Sequence, residues 1–402
     1  MKKRLHRNIV QAIVIALEEI FEHNKYADRV LDKILKSNPL WGVRDRRQIA
    51  ETVYDMVRWW RKIIHVAAIE QKDSDKYVKA LAAWYLIKDE YELPDWMPEL
   101  KVGAKELSKR FKDPNLSLAL RESIPDWLEQ IGNEELGAQW QVELSALNQT
   151  APLIIRVNTL KINKFKLIGQ LDKINIKSEE IDGFPDAINV LDRPNLFRTE
   201  LFKEGAFEIQ DASSQRVAYF AQLESGMRVI DACAGGGGKS LHMAALMKNK
   251  GTIIAMDVEQ WKLDELKKRS KRAGVHIIET RLIENNKTIK RLKHSADRVL
   301  LDVPCSGLGV LKRNPDAKWK LDLAFVEKLR EMQKKILEDY SQMVKPGGKL
   351  IYATCSLLPS ENQGQVKQFL AKNDEFELEE LVSIMPSEGF DGFFMARMKR
   401  KD

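Results

Sequence analysis

The 402-residue chain carries 66 Lys and Arg against 59 Asp and Glu, a formal charge of +7, with 44% hydrophobic and 31% charged residues. That balance excludes a mostly disordered chain and fits a soluble globular protein of two or three domains. The mild basic excess permits a polyanion partner without requiring one. The three cysteines, Cys233, Cys305 and Cys355, form no CxxC pair, and the six histidines form no HExxH. No disulfide framework and no metal are therefore expected.

The N-terminus is basic (Lys2, Lys3, Arg4, Arg7), and the apolar stretch after it is interrupted by Glu18 and Glu19. It reads as an amphipathic helix, not a signal peptide or membrane span, so a reducing cytoplasm and no membrane contact are expected. Val10, Val14, Leu17 and Ile20 recur at helical spacing. Asp45 is a candidate cap for a helix with Ile49, Val53, Val57 and Trp60 on one face and Arg46, Arg47, Arg58 and Arg61 on the other. A further helix runs through Tyr77, Leu81, Trp84 and Tyr85, and Pro94 and Pro98 mark a break. Residues 1–140 thus read as an all-helical domain.

Residues 145–210 read as a small mixed α/β subdomain, with a strand over Pro152–Asn158 and a helix over Lys164–Lys173. From 211 to 402 strand and helix alternate. The predicted strands are Val229–Ala232, Thr252–Asp257, His276–Ile278, Arg298–Asp302 and Lys349–Thr354, the last after a Pro346-Gly347-Gly348 turn. The predicted helices are Gln260–Ala273 and Asp322–Met343. This is the pattern of an α/β fold with a largely parallel sheet, whose ligands bind beyond the carboxyl ends of the strands.

A glycine-rich turn, Cys233-Ala234-Gly235-Gly236-Gly237-Gly238-Lys239, follows the first of these strands. Such a turn brings backbone N–H groups close to a ligand. A P-loop is a poor match, because Cys233 stands where GxxxxGK[ST] needs glycine. A dinucleotide and S-adenosyl-L-methionine both remain open, since Asp257 at the end of the second strand suits the ribose hydroxyls of either.

Asp302-Val-Pro-Cys305-Ser-Gly and Thr354-Cys355-Ser follow two strands, so both cysteines fall at the sheet edge that carries the glycine turn. A lone cysteine at a strand end is most often a small buried hydrophobe. Two beside a ligand loop suit covalent chemistry. A thiolate adds to carbon 6 of a pyrimidine, carbon 5 becomes electron-rich and takes a methyl group, and a carboxyl such as Asp302 stabilises the developing charge.

These segments, with Gln210-Asp-Ala-Ser-Ser214, Pro315-Asp-Ala-Lys-Trp319 and Glu388-Gly-Phe-Asp-Gly-Phe-Phe394, resemble the Sun/Nop2 family of RNA cytosine-C5 methyltransferases. The N-terminal part resembles that of bacterial 16S rRNA members with a NusB-like domain, and the likeness covers nearly the whole chain. It implies a Rossmann-like class I S-adenosylmethionine-dependent methyltransferase domain behind the helical and small α/β parts. It also implies that Cys355 is the nucleophile, that Cys305 assists breakdown of the adduct, and that Asp302 contacts cofactor and base. By the same likeness, Cys233 to Lys239 and Asp257 hold the cofactor.

Two positions depart from the family. Its loop usually reads Cys-Ala-Ala-Pro-Gly-Gly-Lys, whereas Gly235 and Gly236 stand here for Ala and Pro. Its acid after the third strand has no clear counterpart in Ile278-Glu-Thr-Arg-Leu-Ile-Glu284.

Lys312, Arg313 and Trp319 form a basic, aromatic stretch suited either to RNA or to a solvated loop with Trp319 on the core, and Arg156 and Asn158 are further substrate-side candidates. The expected partner is RNA, ribosomal RNA or a small-subunit precursor particle, and a monomer is the default. The alternatives are a transfer-RNA methyltransferase and a non-catalytic RNA-binding assembly factor.

Overall fold

The computed structural model describes residues 3–402, so Lys2 of the basic N-terminus lies outside the described residues. The chain divides into two compact units, residues 1–149 with 311–323, and residues 150–310 with 324–402.

The first unit is helical: α1 (Arg7–Phe21), α2 (Ala27–Ser37), α3 (Val43–Val66), α4 (Lys76–Lys88), α5 (Ala104–Phe111), α6 (Leu118–Arg121), α7 (Asp126–Leu136) and α8 (Gln139–Leu147). Strands β1 (Lys3–Arg4) and β2 (Tyr91–Glu92) make a two-residue parallel pair. The apolar stripes pack as expected, with Ile13, Leu17, Ile49, Val53, Val57 and Leu81 fully buried. Asp45 works one turn inside α3. The helix begins at Val43, and the Asp45 carboxylate reaches back to accept from Gly42 N at 3.0 Å.

The second unit begins with an antiparallel sheet in the order β4-β5-β3-β6, formed by β3 (Leu153–Val157), β4 (Ser178–Glu180), β5 (Ala187–Val190) and β6 (Phe207–Ile209). Helix α9 (Lys164–Lys173) packs on it through Leu167 and Leu171, and α10 (Glu200–Lys203) precedes β6. Helix α11 (Ala212–Phe220) leads into the main sheet, and Asp211 caps it by accepting from Ser213 N at 2.9 Å.

The main sheet has the order β12-β13-β11-β10-β7-β8-β9. Strands β7 (Arg228–Asp231), β8 (Thr252–Asp257), β9 (Ile278–Leu282), β10 (Ala296–Asp302) and β11 (Val344–Thr354) run parallel. Strands β12 (Phe376–Ile384) and β13 (Phe393–Arg400) close one edge antiparallel. Helices α12 (Gly238–Leu246), α13 (Gln260–Ala273), α14 (Asn286–Lys290), α16 (Leu323–Tyr340) and α17 (Gln363–Leu370) complete the unit. Between α14 and α16, the short α15 (Ala317–Lys320) belongs to the first unit. Val229, Ile230, Ile253, Ile254, Val299, Leu301, Leu350 and Ile351 of the central strands are fully buried, as a parallel sheet covered on both faces requires.

Two predicted boundaries move. The third parallel strand is Ile278–Leu282, because His276 precedes the pairing that begins at Ile278 with Ile253. Pro346-Gly347-Gly348 lies inside β11 as a bulge: the register jumps from Ala296–Val344 to Arg298–Lys349, and Gly347 takes φ +69°.

Candidate active site

Strand β7 is the switch point, with β8 and then β9 on one side and β10 and then β11 on the other. Its carboxyl end is where a doubly wound sheet opens a ligand crevice. Asp231, Asp257 and Asp302 end their strands there, and Cys355 directly follows Thr354, the last residue of β11.

The glycine turn enters α12 through Gly237, at φ +82°, where a Cβ would stand 2.4 Å from Leu266 Cγ. Both constraints require glycine. Asp257 is buried and receives Gly235 N and Glu259 N, each at 2.9 Å. The path of the turn is also held from behind. Arg269 donates to Gly236 O at 2.6 Å and to Glu208 at 2.9 Å, and Arg156 donates to Gly238 O at 2.5 Å and to Gln210.

Asp231 is fully buried, and its Oδ2 accepts from Ser240 Oγ at 2.6 Å. Its Oδ1 has no hydrogen-bond partner among the described residues. Burial first, and the nearby Asp302 charge as well, raise its carboxyl to about 7. Burial, then Asp231, Asp302 and Asp257, push the Cys233 thiol well above the ordinary range, so it stays neutral.

Lys239 Nζ lies 2.5 Å from Asp302 Oδ2 and over the Phe393 ring at 5.0 Å. Burial alone would lower this lysine, but the Asp302 charge and hydrogen bond, with Cys355 beside it, outweigh burial and hold it above its ordinary value.

The sulfurs of Cys305 and Cys355 are 3.2 Å apart. The hydrogen bond to Cys355, burial, and the charges of Cys355 and Glu361 all push the Cys305 thiol well above the ordinary range. Either sulfur can donate to the other across this contact. Gly309 N donates to Cys355 O at 2.9 Å, and Gly392 N to Gly309 O at 2.8 Å. A Cβ on Gly309 would stand 2.3 Å from Gly392 O, and one on Gly392 would stand 2.4 Å from Leu357 Cδ2, which accounts for both glycines.

Four of the substrate-side candidates make contacts within the protein: Arg156, Asn158 and Lys312 are buried, and Trp319 is half-buried. Arg156 is 2% exposed and occupied by Gln210 and Gly238. Asn158 is buried and donates to Gly205 O and Ala273 O, both at 2.8 Å. Lys312 is 3% exposed, and its carbonyl accepts from Arg58 at 2.7 Å. Trp319 Nε1 donates to Val57 O at 2.7 Å. Backbone carbonyls accept from Arg156, Asn158 and Trp319, and Gln210 adds a side-chain acceptor for Arg156. Arg313 is half-buried.

In the segment Ile278–Glu284, Glu279 sits within β9 opposite Ile254, and exposed Glu284 lies just past its carboxyl end. Two residues passed over in the sequence also belong to this edge. Asp231 stands out only once its orphan oxygen is seen. Val258, beside Asp257, is 65% exposed and offers an apolar face.

Residues 218–399 match the family model described as 16S rRNA methyltransferase RsmB/F, and residues 124–196 match the ferredoxin-like domain model of the same family. The chain is 33% identical to a Bacillus subtilis protein named "Probable ribosomal RNA small subunit methyltransferase B", over 72% of this chain and 69% of the relative. It is 29% identical to a Synechocystis protein of the same name, over 97% and 99%. The solved structure of a protein designated PH0851 superposes over all of both chains with a TM-score of 0.83 at 24% identity, a likeness of fold.

The sheet and its site define a class I methyltransferase, with S-adenosylmethionine as cofactor. The chain belongs to the RsmB/F family of 16S rRNA methyltransferases, and it acts on RNA. The site fits that cofactor: Asp231 presents an unpartnered buried carboxylate oxygen, suited to a cationic ligand. Among the described residues no helix is long and apolar enough to cross a membrane, and no cluster of metal-ligating side chains occurs.

Proposed function

We propose that the chain methylates carbon 5 of a cytosine in 16S rRNA through a covalent adduct between Cys355 and carbon 6 of the base. The observation that carries this reading is the pair of sulfurs 3.2 Å apart beside the Lys239–Asp302 ion pair.

Asp257 would take the ribose hydroxyls of S-adenosylmethionine and Val258 its adenine face. The loop 233–239 would lie along the cofactor, and Asp231 would face its cationic end. The bound cofactor supplies an electrophilic methyl group. Cys355 attacks as a thiolate, stabilised by the Lys239 ammonium and by the Cys305 S–H. Asp302 steadies charge on the ring nitrogen or exocyclic amine. Once the methylated carbon 5 loses its proton to a base, the ring double bond re-forms and Cys355 departs as a thiolate. The Cys305 S–H, in contact with that sulfur, stabilises its departure.

The target base must leave any duplex to reach this edge. The ribosomal reading rests on the names of the relatives and the family model. A test supplies labelled S-adenosylmethionine with 16S rRNA and transfer RNA lacking 5-methylcytosine, in separate reactions. Label is expected in cytosine of the 16S rRNA, reduced at least about 10³-fold by Cys355→Ala. Label in transfer RNA alone, or activity retained by Cys355→Ala, contradicts the reading.

A further inference from the structure

Glu361 follows Cys355 by six residues and precedes α17, and it is completely buried. A carboxylate removed from water needs several donors, and four converge on this one. Its Oε1 accepts from Ser306 N at 2.9 Å and from Gln333 Nε2 at 2.8 Å. Its Oε2 accepts from Ser306 Oγ at 2.5 Å and from Ser356 Oγ.

Ser306 is the residue after Cys305, and Ser356 is the residue after Cys355. One carboxylate thus spans the two loops immediately beside both sulfurs, and the two serine hydroxyls lie 3.1 Å from each other. Gln333, on α16, also donates to Pro304 O at 2.9 Å, on the other side of Cys305. The backbone of Glu361 is fixed in turn, with Tyr352 OH donating to its carbonyl at 2.7 Å. Its neighbour Asn362 donates to Ser356 O at 3.0 Å and accepts from Thr354 Oγ1 at 2.5 Å.

We propose that Glu361 is a positioning residue that sets the spacing of the Cys305 and Cys355 sulfurs. The assignment of what that spacing achieves rests on the covalent reading above. A thiol that stabilises a departing sulfur must be in contact with it, and a shift of about 1 Å in such a constellation costs on the order of 10²-fold in rate. The polar clamp stands where an apolar packing contact would permit the loops to slide, because hydrogen bonds to a carboxylate are directional. Ser306 and Ser356 are accordingly parts of the clamp, buried at 5% and 1% exposure.

The test has a readout that does not depend on methyl transfer. Phenylarsine oxide closes a ring on two adjacent thiols, forming two As–S bonds and releasing water. The full-length protein is expected to bind one arsenical through Cys305 and Cys355, and Cys305→Ala is expected to lose it. Glu361→Gln is expected to slow that capture at least about 5-fold. It is also expected to lower kcat on RNA about 10- to 100-fold, with KM for RNA and affinity for S-adenosylmethionine held within about 2-fold. Ser356→Ala, which removes one hydroxyl, shifts both readouts in the same direction by less and serves if Glu361→Gln fails to fold. An unchanged capture rate, or a fall in kcat matched by an equal fall in cofactor affinity, overturns the proposal. If Cys355→Ala retained methyl transfer, the covalent reading would fall while the arsenical rate still decided the role of Glu361.

Discussion

The glycine turn after β7 and the two cysteine loops after β10 and β11 share one sheet edge but are restrained by different sets of groups. The turn is held from behind, by guanidinium groups on carbonyl oxygens: Arg269 on Gly236 and Arg156 on Gly238. The cysteine loops are held from within, by a buried carboxylate on N–H and O–H groups. A cation on the carbonyls fixes the path of the loop, and the Asp257 carboxylate holds it a second time through Gly235 N. A carboxylate beside the thiols fixes side-chain spacing. The guanidinium contacts are peculiar to the turn, and the serine hydroxyls held by a carboxylate are peculiar to the cysteine loops. The Arg269 contact also bears on the missing proline: the position where the family has Pro is Gly236, and its carbonyl is tied down by that guanidinium.

Breaking the cofactor side alone gives the largest separable effect. Asp257→Ala is expected to weaken S-adenosylmethionine binding about 10- to 100-fold by titration calorimetry, the scale of hydrogen bonds to a charged group. Arsenical capture by the cysteines is expected to stay unchanged. Arg269→Ala sharpens the comparison: it releases the Gly236 carbonyl without touching the ligand face. A loss of about 3- to 10-fold in cofactor affinity, with kcat at saturating cofactor preserved, is expected in steady-state assays.

The smallest effect concerns Asp231 in the cofactor-free protein. Its folded carboxyl titrates at about 7, above the value of about 3.9 in an unfolded chain. The folded state therefore holds a proton that the unfolded state has lost. This contribution to stability is full below about pH 3.9, declines as pH rises, and is gone above about 7. Urea midpoints measured from pH 5 to 8 are expected to fall less with pH in Asp231→Asn than in the original protein.

Much of this edge was legible in the sequence because strand ends and their motifs are local. Asp257, Asp302, Cys305 and Cys355 could be placed from strand patterns alone, and Thr252–Asp257 and Gln260–Ala273 form as predicted. The antiparallel edge strands β12 and β13 were not among the predicted strands, and in β12 a register shift between Leu378 and Glu380 breaks the apolar alternation. The Lys312–Trp319 stretch shows why composition misleads. Lys318 is 2% exposed and donates to Arg58 O at 2.8 Å, and burial lowers it to about 7. Asp316 accepts from Ala27 N at 3.0 Å, so Pro315-Asp-Ala-Lys-Trp319 is fastened to α2 and α3. Those partners are over 250 residues away in the chain, and no local pattern announces them. Glu361 was overlooked for the same reason, since its importance lies in Ser306, 55 residues earlier.

The most direct measurement follows Cys305→Ala on 16S rRNA with S-adenosylmethionine, with denaturing gels and mass spectrometry to find protein joined to RNA. The account predicts that an adduct accumulates, that it is linked through Cys355, and that it carries the methyl group. Free turnover with no adduct, or a link through any other residue, would contradict it.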